Sequence, residues 1–502
     1  MHHVGHHASP AGCPGWTSRG SRRTAALLTI AVLALGGARE AHAQFNTFTP
    51  LPASVLGGSL PEAAPLLLSS HSFLQRTIAA NDRSALNGGV KLGDNWDMIT
   101  LNENGPQAGR YLFSPYETGA AGVKRLDLIT GQSVTIVAEG AQGFVNGDAS
   151  RWTPWGTYLT AEESWGAGST KGRLFEVTNP LAAPASVNFV QRSVLPRVAH
   201  EGLVFDEANN LYFVDEFNGG AIYRYTSATP LSGATFFDAG QTSVLKVGDG
   251  SVFEGTGGAT WVPITDAVGN ALPGIPTVTI GNVTSVDGRA AADAVGATGL
   301  NRPEDLEIQT LSDGTQRIYF GTTDTHKVYS LTLTAGSTAT LKVFADQSTI
   351  DAATGLAVGA GFLNPDNMAV DYYGNIYFTE DIGSIGGTGF DVWFGRDDDR
   401  DGVAESIGRW MSLSTSGAEP TGLYFSPLDP NVAYINVQHT NSDIDRTIEI
   451  TSTPEPATGG LVLLGIGSIA VVMRRRQGAR RRAADDRSQA SCDGLSFTAG
   501  CA

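Results

Sequence analysis

A tyrosine-led strand that ends in polar or acidic residues recurs along this chain. The instances are YLFSPYE from Tyr111, YLTAEE from Tyr158, YFVDEF from Tyr212, YFGTTD from Tyr319, YFTED from Tyr377 and YINVQH from Tyr434. All but YLTAEE follow a turn-rich stretch such as DEANN, SDGTQ or DYYGN, and a second strand often follows, as in AIYRY and HKVYSL. The tyrosines lie 47, 54, 107, 58 and 57 residues apart, the long gap being close to two periods. Short β-strands repeating at roughly 40–60 residues specify a propeller, because each small sheet cannot bury both faces alone and stacks on its neighbours around an axis. The expected fold is therefore all-β, a six-bladed β-propeller. A weaker unit at ATWVPIT, around Trp261, leaves seven blades possible. A β-sandwich or two unrelated β domains is the alternative, and the matched registers speak against it.

The two ends read as addresses. Arg22 and Arg23, an apolar run from Ala25 to Leu35, and Ala41-His42-Ala43 form a secretory signal peptide over residues 1–43, cut before Gln44. The apolar run is too short to span a bilayer, and the arginine pair leaves Sec and twin-arginine export both open. At the other end, Pro454-Glu455-Pro456 precedes an apolar stretch, Leu461 to Met473, and then Arg474-Arg475-Arg476. The prolines stop an upstream element, the apolar stretch makes a short transmembrane helix, and the arginines hold its end in the cytoplasm. Between them lie a lead-in arm at 44–93 and the propeller at 94–452. A sorting and anchor segment spans 453–476, and a disordered tail spans 477–502.

The chain has 33 Lys and Arg against 50 Asp and Glu. Without residues 1–43 and 453–502 the balance is 22 against 45. So acidic a domain is a poor partner for nucleic acid, which needs basic surface, and a better one for cations. The three cysteines, Cys13, Cys492 and Cys501, all lie in the terminal segments. The propeller therefore has no internal disulfide and no thiolate ligand. No G-x-S-x-G, C-x-x-C or phosphate-cradling loop supports a serine hydrolase, zinc ribbon or P-loop NTPase.

Strands in equivalent blades end at equivalent places, so their terminal acids are expected to meet at one mouth of the central channel. Glu162 and Glu163 end one such strand. Side chains alternate along a strand, so only one of the pair need face the axis unless the chain turns at Ser164-Trp165-Gly166. Crowded carboxylates repel one another and resist burial, and hard oxygen ligands suit Ca²⁺. A second acidic stretch, DDDRDGVAE, places Asp397, Asp399 and Asp401 before Gly402, the opening of a calcium loop. Gly408 stands where an EF-hand has its closing glutamate, so Glu405 is the candidate to close the ring.

Five blocks carry a family resemblance: WGTYLTAEES, HEGLVF, LNRPEDLEI, LNPDNMAVDYYGNIYFTED, and EPTGLYFSP with AYINVQH. In this order they resemble the signature blocks of PhoX-type alkaline phosphatases across about residues 95–440. The resemblance implies a six-bladed propeller that cleaves phosphate monoesters at calcium and iron ions on its axis. It implies metal-site carboxylates at Glu162, Glu163, Glu201, Glu304 and Asp366, with Glu304 also catalytic. Arg302 becomes the phosphate clamp, a role that guanidinium geometry suits. The family's block reads T-C-E-E, its cysteine ligating iron, and Ala161 stands there in this chain. A methyl group cannot ligate iron, which puts Fe³⁺ in doubt. Calcium alone, a substitute ligand, or a site that only binds are the options left. The C-terminal segment resembles the PEP-CTERM sorting signal of Gram-negative bacteria. That implies processing by an exosortase and an exported protein held transiently in the inner membrane, then delivered to the periplasm, outer surface or matrix.

Two functions follow as expectations. One is an exported, metal-dependent phosphoric monoester hydrolase. The other is a non-catalytic calcium-binding propeller displayed at the surface, with extracellular polysaccharide or protein as partner. Another hydrolase, such as a lactonase, is a third.

Overall fold

The computed structural model describes residues 44–82, 93–334, 336–381 and 390–453. The expected signal peptide and tail, and the expected sorting segment beyond Thr453, lie outside the described residues. Among the described residues no helix is long and apolar enough to cross a membrane.

Among the described residues, six four-stranded antiparallel meanders and one insertion form the unit at 43–453. The first blade runs Thr100–Leu101, Tyr111–Pro115, Val123–Asp127 and Gln132–Val137; the second runs Gly147–Trp152, Tyr158–Glu162, Leu174–Val177 and Phe189–Gln191. The third is Leu203–Phe205, Leu211–Val214, Ile222–Ser227 and Gly240–Val247, and the fourth is Pro303–Thr310, Gln316–Thr322, Lys327–Leu333 and Thr338–Ala345. The fifth is Pro365–Val370, Ile376–Glu380, Phe390–Arg396 and Ser406–Leu413, with Leu66–Leu68 added at its outer edge. The sixth takes Glu419–Phe425, Val432–Gln438 and Ile444–Ser452 from the C-terminal end and Phe73–Asp82 from the N-terminal end. The stretch expected as a lead-in arm thus supplies the outer strand that completes the last blade, pairing along Ile444–Ser452.

The unit around Trp261 is not a seventh blade. Gly257–Pro263 pairs with the outer strand of the third blade and with the outer strand of the fourth, joining them into one nine-stranded sheet. The 107-residue gap between tyrosines is one blade period lengthened by an insertion after Val247. It also carries the hairpin Thr277–Ile280/Val283–Val286 and a helix, Gly288–Val295, whose N-cap Asp287 accepts from the Ala290 amide.

Of the repeated tyrosines, all but the half-buried Tyr111 are core residues. Tyr158, Tyr319 and Tyr377 are fully buried, and Tyr212 nearly so. Their hydroxyls need partners in the interior. Tyr212 donates to Asp206 at 3.0 Å and Tyr319 to Gln309 at 2.9 Å. Asp206 also makes the turn before its strand, accepting from the amides of Ala208 and Asn210 at 2.9 and 2.7 Å. Asp371 does the same two blades later, with Tyr373 and Asn375. This explains why DEANN and DYYGN precede matching strands.

Innermost strands touch around the whole ring. The Trp152 amide meets Thr100 at 3.3 Å, Arg151 Nε meets the Leu203 carbonyl at 2.5 Å, and the Met368 amide meets Asp305 at 3.1 Å. Thr421 meets Asn367 at 2.8 Å. Glycines make the remaining two approaches. A Cβ on Gly202 would lie 2.1 Å from the Leu306 amide nitrogen, and one on Gly422, at φ +59°, 2.8 Å from the Asp97 carbonyl. Gly202→Ala is therefore expected to destabilise by about 3 kcal/mol, the top of the overpacking range, because backbone on both sides must move. Denaturant unfolding monitored by tryptophan fluorescence checks this. An unchanged midpoint would mean that the third and fourth blades are not so tightly seated.

Candidate metal centre

At the start of every innermost strand, or within three residues of it, stands an acid: Asp97, Asp148, Glu201, Glu304, Asp366 and Glu419. At the end of the second strand stand Glu117, Glu163, Glu216, Asp381 and His439, with Thr323 in the fourth blade. The antiparallel meander puts those two places side by side. The first mouth of the channel is therefore a cavity of about 200 Å³ lined by ten carboxylates, Arg302, Gln438 and His439.

Of the residues singled out from sequence, Glu163, Glu201, Arg302, Glu304 and Asp366 line this cavity. Glu201, Glu304 and Asp366 offer oxygens all within 4.8 Å of one another. Glu117, Glu419 and His439 make a second such group. His439 Nε2 lies 3.4 Å from Glu117 and 3.5 Å from Glu419.

Glu162 goes elsewhere. Strand alternation turns it away from Glu163, and it is fully buried against Arg173, with Nε at 2.9 Å and Nη2 at 2.5 Å. It also accepts from the amides of Arg173 and Val145 at 3.0 and 3.3 Å. Its donor set is complete without a metal. Arg173→Ala would strand a buried carboxylate and is expected to cost about 3–5 kcal/mol. A thermal melt checks this, and a shift of a degree or less would show the pair to be dispensable.

Burial, first, and neighbouring carboxylates, second, push the axial acids up from their ordinary range. Glu304 is raised by burial and then by Glu216, with Arg302 opposing; Glu201 and Asp366 are raised by burial and then by Glu304. Asp148, Glu163 and Glu419 are raised in the same way, with Asp97, Glu216 and Asp381 as their respective neighbours. Asp97 is pushed up to about 7 by burial and Glu117. His439 is raised, chiefly through its hydrogen bond to Glu117. Glu201 Oε2 and Asp148 Oδ1 are buried with no hydrogen-bond partner among the described residues. Negative charge so concentrated, with orphaned oxygens aimed into it, fits hard divalent cations.

Iron through a thiolate does not fit. Ala161 is fully buried in an apolar cluster that includes Ala149, Leu203 and Phe213. His200, beside Glu201 in sequence, also turns into the core. It packs against Phe213 with ring centroids 5.3 Å apart and planes tilted by 42°, and burial drives its imidazole down to about 3.

Arg302 is the cavity's guanidinium. Its backbone takes φ +49°, a left-handed conformation rare for arginine. Nε and Nη2 donate to Glu216 at 3.0 and 2.6 Å, and Nη2 lies 3.4 Å from Glu304 and 3.8 Å from Asp381. About a third of the side chain, 35%, remains exposed. Thr323 donates to Glu304, and Gln438 donates to Asp97 at 3.1 Å and Glu117 at 3.3 Å.

Away from the channel, Asp397, Asp399 and Glu405 bring oxygens within 4.8 Å of one another. Asp401 is not in that group; its carboxylate meets Lys342 at 3.2 Å. Asp397 accepts from the Gly402 amide at 3.0 Å and lies 3.3 Å from Arg317.

The sequence reading did not single out Asp97, Asp148, Glu117, Glu216, Asp381 or Glu419 as ligands. The signal for the first-strand acids was present as a shared register, in DMITL, DASRW, EGLVF, EDLEI, DNMAV and EPTGL.

Two family models match this chain. The family model of the alkaline phosphatase PhoX matches residues 118–441, and that of the PEP-CTERM protein-sorting motif matches residues 452–477. No curated protein matches. A crystal structure of an auxiliary nutrient binding protein from Bacteroides ovatus ATCC 8483 is 12% identical over 66% of this chain and 74% of its own, with a TM-score of 0.29. With a propeller, an axial carboxylate cluster and a match over well over half of its 502 residues, the chain belongs to the PhoX alkaline phosphatase family.

Proposed function

We propose that the protein is an exported phosphomonoesterase whose axial carboxylates hold Ca²⁺ and whose Arg302 binds the phosphoryl group of the substrate. The observation that carries this reading is the convergence of Glu201, Glu304 and Asp366 within 4.8 Å, with Arg302 Nη2 3.4 Å from Glu304. Calcium, when bound, supplies Lewis acidity toward the attacking oxygen and the developing phosphoryl charge. The all-oxygen donor set supports calcium over iron. Glu216 fixes the guanidinium of Arg302, so its planar fork meets a phosphate without first having to be ordered. Thr323 holds Glu304, and Gln438 ties Asp97 to Glu117, so the acids are placed before any ligand arrives.

The same reading extends to the Asp397 loop, where Asp397, Asp399 and Glu405 would hold a structural Ca²⁺ and pin the turn between two strands of the fifth blade. For the whole protein, the sorting motif supports export, anchoring by the C-terminal segment and processing by an exosortase.

Ala161 favours one second reading. Without the cysteine of the family's block, the propeller binds calcium and a surface ligand and turns nothing over. Assay of the purified protein on p-nitrophenyl phosphate, with Ca²⁺ and with chelator, separates the two. The phosphomonoesterase reading requires calcium-dependent turnover; none under either condition leaves the binding propeller.

A further inference from the structure

The residue that follows the cavity acid Glu216 is an exposed aromatic one, Phe217. Its Cα is therefore about 3.8 Å farther along the chain. Its carbonyl accepts from the Arg302 amide at 3.1 Å, which ties it to the guanidinium residue of the site. Yet 46% of Phe217 is exposed.

Scattered exposed phenylalanines are ordinary, but this ring is braced from behind. The Arg289 guanidinium lies 3.7 Å from the ring centroid. Arg289 is itself locked: Nε and Nη2 each donate to Asp215 at 2.7 Å, and Nη1 donates to the Trp165 carbonyl at 3.1 Å. Trp165 stands two residues after Glu163, another cavity acid, and donates to Asp287 at 3.2 Å. One arginine thus joins the lips of the second and third blades and holds one face of Phe217 still. Beside Gly299, next to the short ladder Asn218–Gly220/Leu300–Asn301, lies a second exposed ring, Phe253, at 54% exposure. An immobilised aromatic face with little rotamer entropy left to lose is a ready platform for another flat ring.

We propose that Phe217, braced by Arg289, is a specificity-determining shelf that receives the aromatic alcohol portion of a phosphate monoester whose phosphoryl group sits at Arg302. This rests on the phosphomonoesterase reading and names its substrate class: esters of aromatic rather than small polar alcohols. No atom of Phe217 takes part in bond breaking; it sets which leaving group is held beside the acids.

Binding of phenylphosphonate and methylphosphonate to the calcium-loaded protein tests the shelf without needing turnover. The wild-type protein is expected to bind the phenyl compound about tenfold more tightly than the methyl compound. That ratio falls to near one in Phe217→Ala and is kept in Phe217→Trp. Equal affinities in the wild type, or a preference that survives Phe217→Ala, overturn the shelf and leave the phosphoryl reading standing. Failure to bind either phosphonate removes the phosphoryl reading and the shelf together.

Discussion

Removing divalent cations with a chelator is expected to lower the melting temperature of this protein by many degrees, and excess Ca²⁺ to restore it. Ten carboxylates share a cavity of about 200 Å³ with one arginine and one histidine. Each occupied site adds about 4 kcal/mol of stability when calcium stands a thousandfold above its Kd. The metal-free protein should show the opposite pH trend to an ordinary acidic protein. Glu201, Glu304 and Asp366 are raised, and Asp97 reaches about 7 against an ordinary 3.8. A carboxyl whose folded pKa is raised contributes stability that is fully present below its unfolded pKa and is lost as pH rises through the folded one. Stripped of metal, the protein should therefore melt lower at pH 8 than at pH 5. With calcium bound, the carboxylates are paired and the loss between those values should largely disappear. Thermal melts at the two pH values, with chelator and with Ca²⁺, read both effects. Four coincident curves would contradict the account.

Arg302→Ala is expected to lower kcat/KM on an aryl phosphate by about 10²–10³-fold, the loss typical of removing one preorganised donor to developing charge. The side chain touches Glu216, Glu304 and Asp381 and keeps an open face. Its left-handed backbone is tolerated because the Arg302 amide donates to the Phe217 carbonyl and the Arg302 carbonyl accepts from the Thr323 amide at 3.3 Å. Lysine carries the charge but not the fork, so Arg302→Lys should recover only part of the loss. Steady-state kinetics with a calcium melting curve on each variant separate the outcomes. Lost turnover with calcium stabilisation retained places Arg302 at the phosphoryl group. Unaltered turnover would leave it as an ion-pair residue.

Much of the architecture was readable because it repeats. The tyrosine-led strands are the second strands of their blades, and their spacing gave the ring of six. The insertion after Val247 broke the period, and Trp261 resembled a further unit because a bridging strand has the same alternation as a blade strand. Ring closure by Phe73–Asp82 was hidden, since nothing local in a strand says which distant strand it will pair with. At the site, the paired acids at 162 and 163 were conspicuous, yet only Glu163 faces the cavity. Glu162 needed Arg173, eleven positions on, to explain it. Asp97, Asp148 and Glu419 each stand alone on strands that otherwise look like core, and only superposing six blades brings them to one place.

Calorimetric titration of the metal-stripped protein with Ca²⁺, repeated on Glu304→Gln and Asp397→Asn, tests the shared axial centre most directly. Saturable binding in the wild type that is lost or greatly weakened at the axial sites in Glu304→Gln, and persists there in Asp397→Asn, is the predicted result. A wild-type isotherm unchanged by Glu304→Gln would show that the channel acids do not hold calcium together.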